Sequence, residues 1–318
     1  MTAPVLAAPA VRVLEAAGCR IHYMPPYPSA EAVAELCRAV QADAILTRQG
    51  PVTATAMDAS AKLRVVARHG VGVDDVDLAA AAARGLLVTR APGSNSRAVA
   101  EHTLAFILAL AKDLKRLPAA IAGGAWRGGA TKVRDIAGMR LGLLGFGVIG
   151  QAVASLARPF DMAVAAWDPI ADPAAFGSVR RAPSLDDLLA TSDVLSVHCP
   201  LLPATRHVIG AAALAAMPAG SFVINTARGG IVDEAALAAA LDSGHIAGAA
   251  LDVFEDEPPV PDHPLRNHPA VIVTPHVAGV TDGSLINMGV MAAECIAAVL
   301  TGGVVPPERI VRPPPAGA

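Results

Sequence analysis

Short apolar runs recur along the chain, and stretches with helical spacing separate them. Runs at Arg20–Tyr23, Ala44–Thr47, Leu63–Ala67 and Leu86–Thr89 read as strands, with helices between them such as Ala30–Val40. A second series stands at Arg140–Leu144, Ala163–Trp167, Val194–His198, Phe222–Asn225, Ala249–Val253 and Val271–Thr274. Strands alternating with helices predict parallel sheets built of βαβ units, hence an α/β protein with two doubly wound sheets. Between the two series, about Arg97 to Leu117 reads as one unusually long helix stopped by Pro118. Its Val99, Leu104, Phe106, Ile107, Leu108, Leu110, Leu114 and Leu117 wrap most of the circumference, so it needs cover on more than one side. A subunit interface and burial inside one monomer both satisfy that need. Gly283–Leu300 is helical again and ends at Gly302-Gly303, and the proline-rich Arg309–Ala318 is expected to be poorly ordered.

The first strand of the second series runs straight into Gly145-Phe146-Gly147-Val148-Ile149-Gly150 and on into an alanine-rich helix. In such a turn the first glycine permits the bend, the second lets backbone approach a pyrophosphate, and the third lets helix and strand pack closely. The helix then aims its N–H groups and positive dipole end at the phosphates. Eighteen residues past Gly150 the next strand ends in Asp168, where a carboxylate accepts both ribose hydroxyls and repels a 2′-phosphate. Strand, glycines, helix and acid together predict a Rossmann cofactor site that prefers NAD.

Composition narrows the class. With 25 basic and 28 acidic residues in 318, no basic run marks a nucleic-acid footprint. The apolar segment Leu104–Ala111 is too short to span a bilayer, and no basic residue precedes the first apolar stretch as in a secretory signal. Cys19, Cys37, Cys199 and Cys295 lie far apart without a CxxC pair or clustered histidines, so neither disulfides nor a metal site is expected. A cytoplasmic enzyme fits this profile.

Three polar groups follow strand ends, where open α/β sheets build their sites. They are Arg228 in Asn225–Gly230, Glu257 in Leu251–Pro258, and His276 in Val273–Gly279. A histidine supplies a proton near neutral pH, a carboxylate orients it, and an arginine forks onto a substrate carboxylate. Each also has a plain structural reading, as a surface ion-pair partner, a solvated loop acid beside Glu255 and Asp256, or a structural histidine. The Gly-Gly pair after Arg228, the Glu-Pro pair and the Thr-Pro-His-x-x-Gly setting favour chemistry.

The chain resembles the D-isomer-specific 2-hydroxyacid dehydrogenases over nearly its whole length. Arg68–Asp77, Ala98–Thr103, Gly145–Gly150, Asn225–Asp233, Asp252–Pro258 and Thr274–Gly279 carry the resemblance. It implies a flavodoxin-like substrate domain from residues 1–97 and 284–318, with an NAD-binding domain, 98–283, inserted into it. Substrate would sit in the cleft, and closure would exclude water. It further implies Arg228 on the substrate carboxylate, Glu257 tuning the histidine, and His276 as acid/base. Gly70, Val71 and Gly72 offer backbone N–H groups to that carboxylate, and Asp252 contacts the nicotinamide amide. His198, Cys199, Pro200, Thr205, Thr226 and Ala227 line the cofactor cleft, which Arg228 and His276 also border. His69 touches the far end of the substrate or packs beside the loop, and Arg48 faces a substrate phosphate or solvent. His102 and Glu101 are assigned to the long helix.

The implied reaction is reversible hydride transfer at C2 of a small 2-oxo/2-hydroxy acid, of hydroxypyruvate/glyoxylate or 3-phosphoglycerate type, in a homodimer. An NAD(H)-sensing corepressor on the same fold is the alternative. Relatives open with a clear strand where this chain has only Thr2–Leu6 before a helix at Pro9–Ala17. That leaves a shortened strand or a start inside a longer reading frame. No regulatory domain follows the tail, so allosteric control by serine is not expected.

Overall fold

The computed structural model describes residues 1–126 and 132–311. The chain forms two compact units, Met1–Asn95 with Val280–Ala318, and Ser96–Gly279.

In the first unit, β1 (Ala44–Thr47), β2 (Val65–Arg68) and β3 (Leu87–Thr89) form a parallel sheet in that order. Alternate residues point to opposite faces, and each face has its own apolar core. Ile45, Val66 and Val88 pack with Val33 and Cys37 of helix Ala30–Val40 and Met57 of helix Ala54–Asp58. Leu46, Val65 and Ala67 pack with Leu14 of helix Ala8–Ala16 and Ala292, Ala293 and Ile296 of helix Asp282–Thr301. Helix Asp282–Thr301 starts in a capping box of Thr281 and Ser284 and stops at Gly302, whose φ is 78°. By length and composition it is long and apolar enough to cross a membrane, a feature the sequence reading passed over. In this unit it packs along helix Ala8–Ala16 and β2.

Two expectations need correction here. Residues 20–23 form no strand. Arg20, Ile21 and His22 lie with Asp43–Leu46 around a cavity of about 650 Å³, so the space between them and β1 holds no ladder partner. Residues 1–3 bond across part of it, through the Met1 amino group to His22 O (2.6 Å), Thr2 N–H to Leu46 O (3.0 Å) and Met24 N–H to Ala3 O (3.3 Å), without forming a continuous ladder. A β-prone segment without a ladder does not become a strand. The opening Thr2–Leu6 likewise has no strand of its own. Nor is the start of the tail loose: Ile310 bridges Thr89 in antiparallel fashion, and Val311 N–H donates to Val88 O at 2.9 Å. The rest of the expected loose end, 312–318, lies outside the described residues.

The second unit holds a seven-stranded parallel sheet. Its strands are β4 (Arg140–Leu144), β5 (Ala163–Trp167), β6 (Arg180–Arg181), β7 (Val194–Val197), β8 (Ser221–Asn225), β9 (Ile246–Leu251) and β10 (Val271–Val273). The order is β10-β9-β8-β7-β4-β5-β6, so the chain reverses direction across the sheet between β4 and β7. Six strands were expected; the seventh, β6, is a two-residue edge strand of exposed arginines with no apolar period to reveal it. Leu141, Leu143 and Ile224 face the helices Ser96–Ala111 and Val148–Ala157, whereas Leu144, Leu195 and Val223 face the opposite side.

The long helix is shorter than expected. It ends at Ala111, and a separate helix, Arg116–Ala122, carries Pro118 in its first turn. Asp113 takes a left-handed φ of 51°, Leu114 N–H returns to Ala109 O (2.9 Å), and Asp113 N–H to Leu110 O (3.2 Å). That is a Schellman closure, with aspartate in the place glycine usually fills. Proline is tolerated in a first turn because those N–H groups lack intrahelical partners anyway.

Candidate active site

The carboxyl ends of β4 and β7 meet at the strand-order reversal, the position at which open α/β sheets bind ligands. Gly145 there has a φ of 96°, and a Cβ on it would lie 2.6 Å from Cys199 N. A Cβ on Gly150 would lie 2.4 Å from Gly145 O, so helix and turn touch through backbone alone. A Cβ on Gly147, by contrast, would meet nothing within 4 Å. Gly147 is also the N-cap of helix Val148–Ala157, whose first turn has no side-chain cap. Open space in front of uncapped N–H groups fits a dinucleotide pyrophosphate. Phe146 is buried and stacks on Phe176 with centroids 4.7 Å apart, which anchors the turn from below.

Asp168 follows β5. Its carboxylate accepts Phe146 N–H at 2.8 Å, Ile170 N–H at 3.0 Å and Ala171 N–H at 3.1 Å. Each carboxylate oxygen takes two donors, so a ribose hydroxyl still has a site on Oδ2. Beside it an open hollow is lined by Trp167, Pro169, Arg181 and Pro183.

Of the cleft residues after β7, His198 turns to Ser196 Oγ at 2.8 Å, and burial holds its pKa down at about 4. It is therefore a neutral imidazole. Burial also pushes the Cys199 thiol up to about 11, which keeps it protonated and unreactive. The Thr205 hydroxyl is spent on its own turn, donating to Pro200 O and accepting Leu202 N–H, each at 2.7 Å. Thr226 is buried, with its hydroxyl 3.2 Å from that of Thr103 on helix Ser96–Ala111.

The loops after β8, β9 and β10 carry the reactive groups. Asn225, which the sequence reading did not single out, shapes the first. Its Oδ1 accepts Ala227 N–H at 3.0 Å and its Nδ2 donates to Arg228 O at 2.8 Å, so the turn presenting Arg228 is an Asx turn. A Cβ on Gly229 would lie 1.9 Å from Phe254 C, so only glycine lets this loop pass the one after β9. On that second loop Glu257 accepts Phe254 N–H at 3.1 Å through Oε1 and lies 2.7 Å from His276 Nδ1 through Oε2. Burial pushes the Glu257 carboxyl up. The bond and charge of His276, the Phe254 N–H and the Arg228 charge outweigh it and hold the carboxyl below its usual range. Glu257 is therefore an anion and can only accept, which places a proton on Nδ1 and leaves Nε2 as the working nitrogen. Arg228, Glu257 and His276 thus come together within the second unit. Glu255, its neighbour in sequence, is committed elsewhere, to Arg206 and to His207 at 3.0 Å.

His276 has a φ of 54°, left-handed for a non-glycine residue. Its N–H donates to Asp252 O at 2.8 Å. The Asp252 carboxylate is 1% exposed and accepts Val277 N–H and Ala278 N–H, each at 2.8 Å, together with the Thr274 hydroxyl. In the structure it organises the histidine loop, a role that the expected contact to a nicotinamide amide did not include.

The first unit has its own cluster. His69 is 5% exposed, and burial and then the Arg48 charge lower its pKa to about 4. Gly70 has a φ of 148° and its carbonyl accepts Ala91 N–H at 2.7 Å, while Val71 and Gly72 are half-buried. Arg68 was not among the expected site residues. It ties this loop to β1, donating to Gly72 O at 2.8 Å and Arg48 O at 2.7 Å, and it pairs with Asp75 at 2.9 Å.

Residues 104–278 match the family model of the D-isomer specific 2-hydroxyacid dehydrogenase NAD binding domain. The D-3-phosphoglycerate dehydrogenase of Mycobacterium tuberculosis is 42% identical over 268 residues, covering 84% of this chain and 51% of that protein. The chain thus spans about half the length of the curated relatives it matches. Among solved structures, a protein from Thermus thermophilus is 35% identical with a TM-score of 0.87, covering 98% of this chain and 99% of that one. A glyoxylate reductase from Paecilomyes thermophila is 30% identical with a TM-score of 0.85, covering 98% and 96%. The chain belongs to the D-isomer-specific 2-hydroxyacid dehydrogenase family, and its second unit carries that family's NAD-binding domain.

Proposed function

We propose that this chain is an NAD-dependent oxidoreductase that interconverts a small 2-oxo acid and the corresponding D-2-hydroxy acid. The observation that carries the reading is the His276–Glu257 pair at 2.7 Å, with the Arg228 charge acting on the same carboxylate. A nicotinamide bound by this unit would supply hydride chemistry at substrate C2. His276 Nε2 gives a proton to the carbonyl oxygen in reduction and takes it back in oxidation. Glu257 holds Nδ1–H, which fixes the ring and its tautomer. Arg228 pairs with the substrate carboxylate and polarises the carbonyl. Gly145–Gly150 would hold the pyrophosphate and Asp168 the adenosine ribose, with Asp252 and Thr226 assigned to the nicotinamide end. In the first unit, Gly70, Val71 and Gly72 as backbone donors and Arg48 as a cation are assigned to an anionic ligand by the same reading.

Hydroxypyruvate, glyoxylate or a 3-phosphoglycerate-type acid is the proposed substrate. Two relatives bear matching names, a glyoxylate reductase and a D-3-phosphoglycerate dehydrogenase. Purified protein is expected to oxidise NADH, faster than NADPH, with at least one of hydroxypyruvate, glyoxylate, pyruvate or phenylpyruvate. It is also to be assayed for NAD reduction with D-3-phosphoglycerate. Silence with every substrate and both cofactors overturns the enzymatic reading in favour of an NAD(H) sensor.

A homodimer is part of the proposal. Helix Arg116–Ala122 buries none of its residues, and Leu114, Ile121 and Trp126 are 56%, 53% and 84% exposed. Apolar side chains gathered on so short a segment call for a second copy. Light scattering at micromolar concentration is expected to give twice the chain mass, and Ile121→Glu with Trp126→Ser to halve it. A wild-type monomer contradicts the proposal.

A further inference from the structure

We propose that His102 is a positioning residue for His276, acting through Thr274 and Asp252. The proposal rests on the acid/base role given to His276 above. The direction of each bond follows from counting protons. Asp252 can only accept, and it takes the Thr274 hydroxyl proton. That hydroxyl has no second proton to give. Its oxygen, 3.1 Å from His102 Nε2, is therefore the acceptor of an Nε2–H. The same nitrogen lies 4.0 Å from the Asp252 carboxylate itself. The His102 ring is held in place by an edge-on contact with buried Phe106, centroids 4.4 Å apart at 73°. A rigid helix, Ser96–Ala111, thus reaches the loop after β10 through one donor.

That loop needs support. A left-handed residue other than glycine costs about 1–2 kcal/mol and persists only where its neighbours over-determine it. Here Asp252 fixes both sides of His276, through Thr274 before it and Val277 and Ala278 after it. His102 completes the set by satisfying the Thr274 oxygen and locking the hydroxyl towards Asp252. Without that donor the hydroxyl is free to rotate, one anchor of the carboxylate is lost, and the backbone around His276 relaxes.

The test compares His102→Leu, which removes the donor, with His102→Gln, whose amide replaces it. His102→Leu is expected to lower kcat ~10- to 100-fold, the scale of a displaced catalytic group, with the NADH dissociation constant within about twofold of wild type. Amide exchange at Val277 and Ala278 is expected to quicken, and His102→Gln to restore both readouts. If His102→Leu does not fold, Thr274→Val against Thr274→Ser asks the same question of the hydroxyl. Unchanged kcat and exchange in His102→Leu, or equal losses in the Leu and Gln variants, overturn the proposal. Retained turnover in His276→Ala instead defeats the acid/base reading, and the exchange experiment still reports on the loop.

Discussion

Replacing His276 with alanine is expected to lower kcat for both reduction and oxidation by ~10²- to 10⁴-fold, the usual contribution of a positioned acid/base. NADH affinity should stay near wild type, because the glycine turn and Asp168 belong to other strand ends. Folding should also survive. The imidazole is half-exposed, and the backbone bonds of the loop run to Asp252, not to the ring. Histidine accepts the left-handed φ of 54° more readily than alanine does, so His276→Asn serves as the backbone-matched control. Steady-state rates in both directions, with NADH binding followed by fluorescence, make the measurement. Turnover within a few fold of wild type would remove His276 from the mechanism. Glu257→Leu tests the partner of that ring. The wild-type carboxyl lies below its usual range, so it is ionised throughout the neutral region and accepts Nδ1–H at 2.7 Å. Removing that acceptor frees the ring and should lower kcat by ~10- to 100-fold with NADH affinity near wild type; an unaltered kcat would mean the pair plays no part in turnover.

The parts of this site that were legible in the sequence are those encoded locally. Gly145–Gly150 announces itself because a tight turn, a phosphate approach and a helix start each demand a residue type at a fixed offset. Arg228, Glu257 and His276 were legible for a related reason: each stands just past an apolar strand, where a parallel sheet ends. What failed was contextual. Arg20–Tyr23 has strand composition, but a strand exists only through its ladder, and the neighbouring space is a cavity. Pro118 was read as a stop, yet the break comes at Asp113, whose left-handed turn nothing in an apolar periodicity foretells. His102 meets Thr274 across 172 positions of sequence, and no spacing rule spans that distance. Asp252 was found for a cofactor contact, while its bonds to the His276 loop appear only once β9 and β10 are paired.

Arg228→Lys should raise KM for the 2-oxo acid and lower kcat/KM by about 10²- to 10³-fold, which at 1.36 kcal/mol per decade is about 3–4 kcal/mol. Lysine keeps the charge and loses the planar fork, so the loss measures two-point pairing with the carboxylate. A surface ion pair would surrender about 1 kcal/mol at most. The geometry argues that the loop will not collapse in the variant. The Asn225 amide holds the carbonyl of residue 228, and Gly229 is threaded past Phe254; neither contact involves the guanidinium. Alanine at this position would also withdraw a charge that helps keep Glu257 ionised, mixing two effects that lysine keeps apart. NADH binding is expected to stay within about threefold of wild type, separating substrate recognition from cofactor recognition. An Arg228→Lys enzyme with unaltered KM would place the substrate carboxylate elsewhere and leave the arginine a bystander to the His276–Glu257 pair.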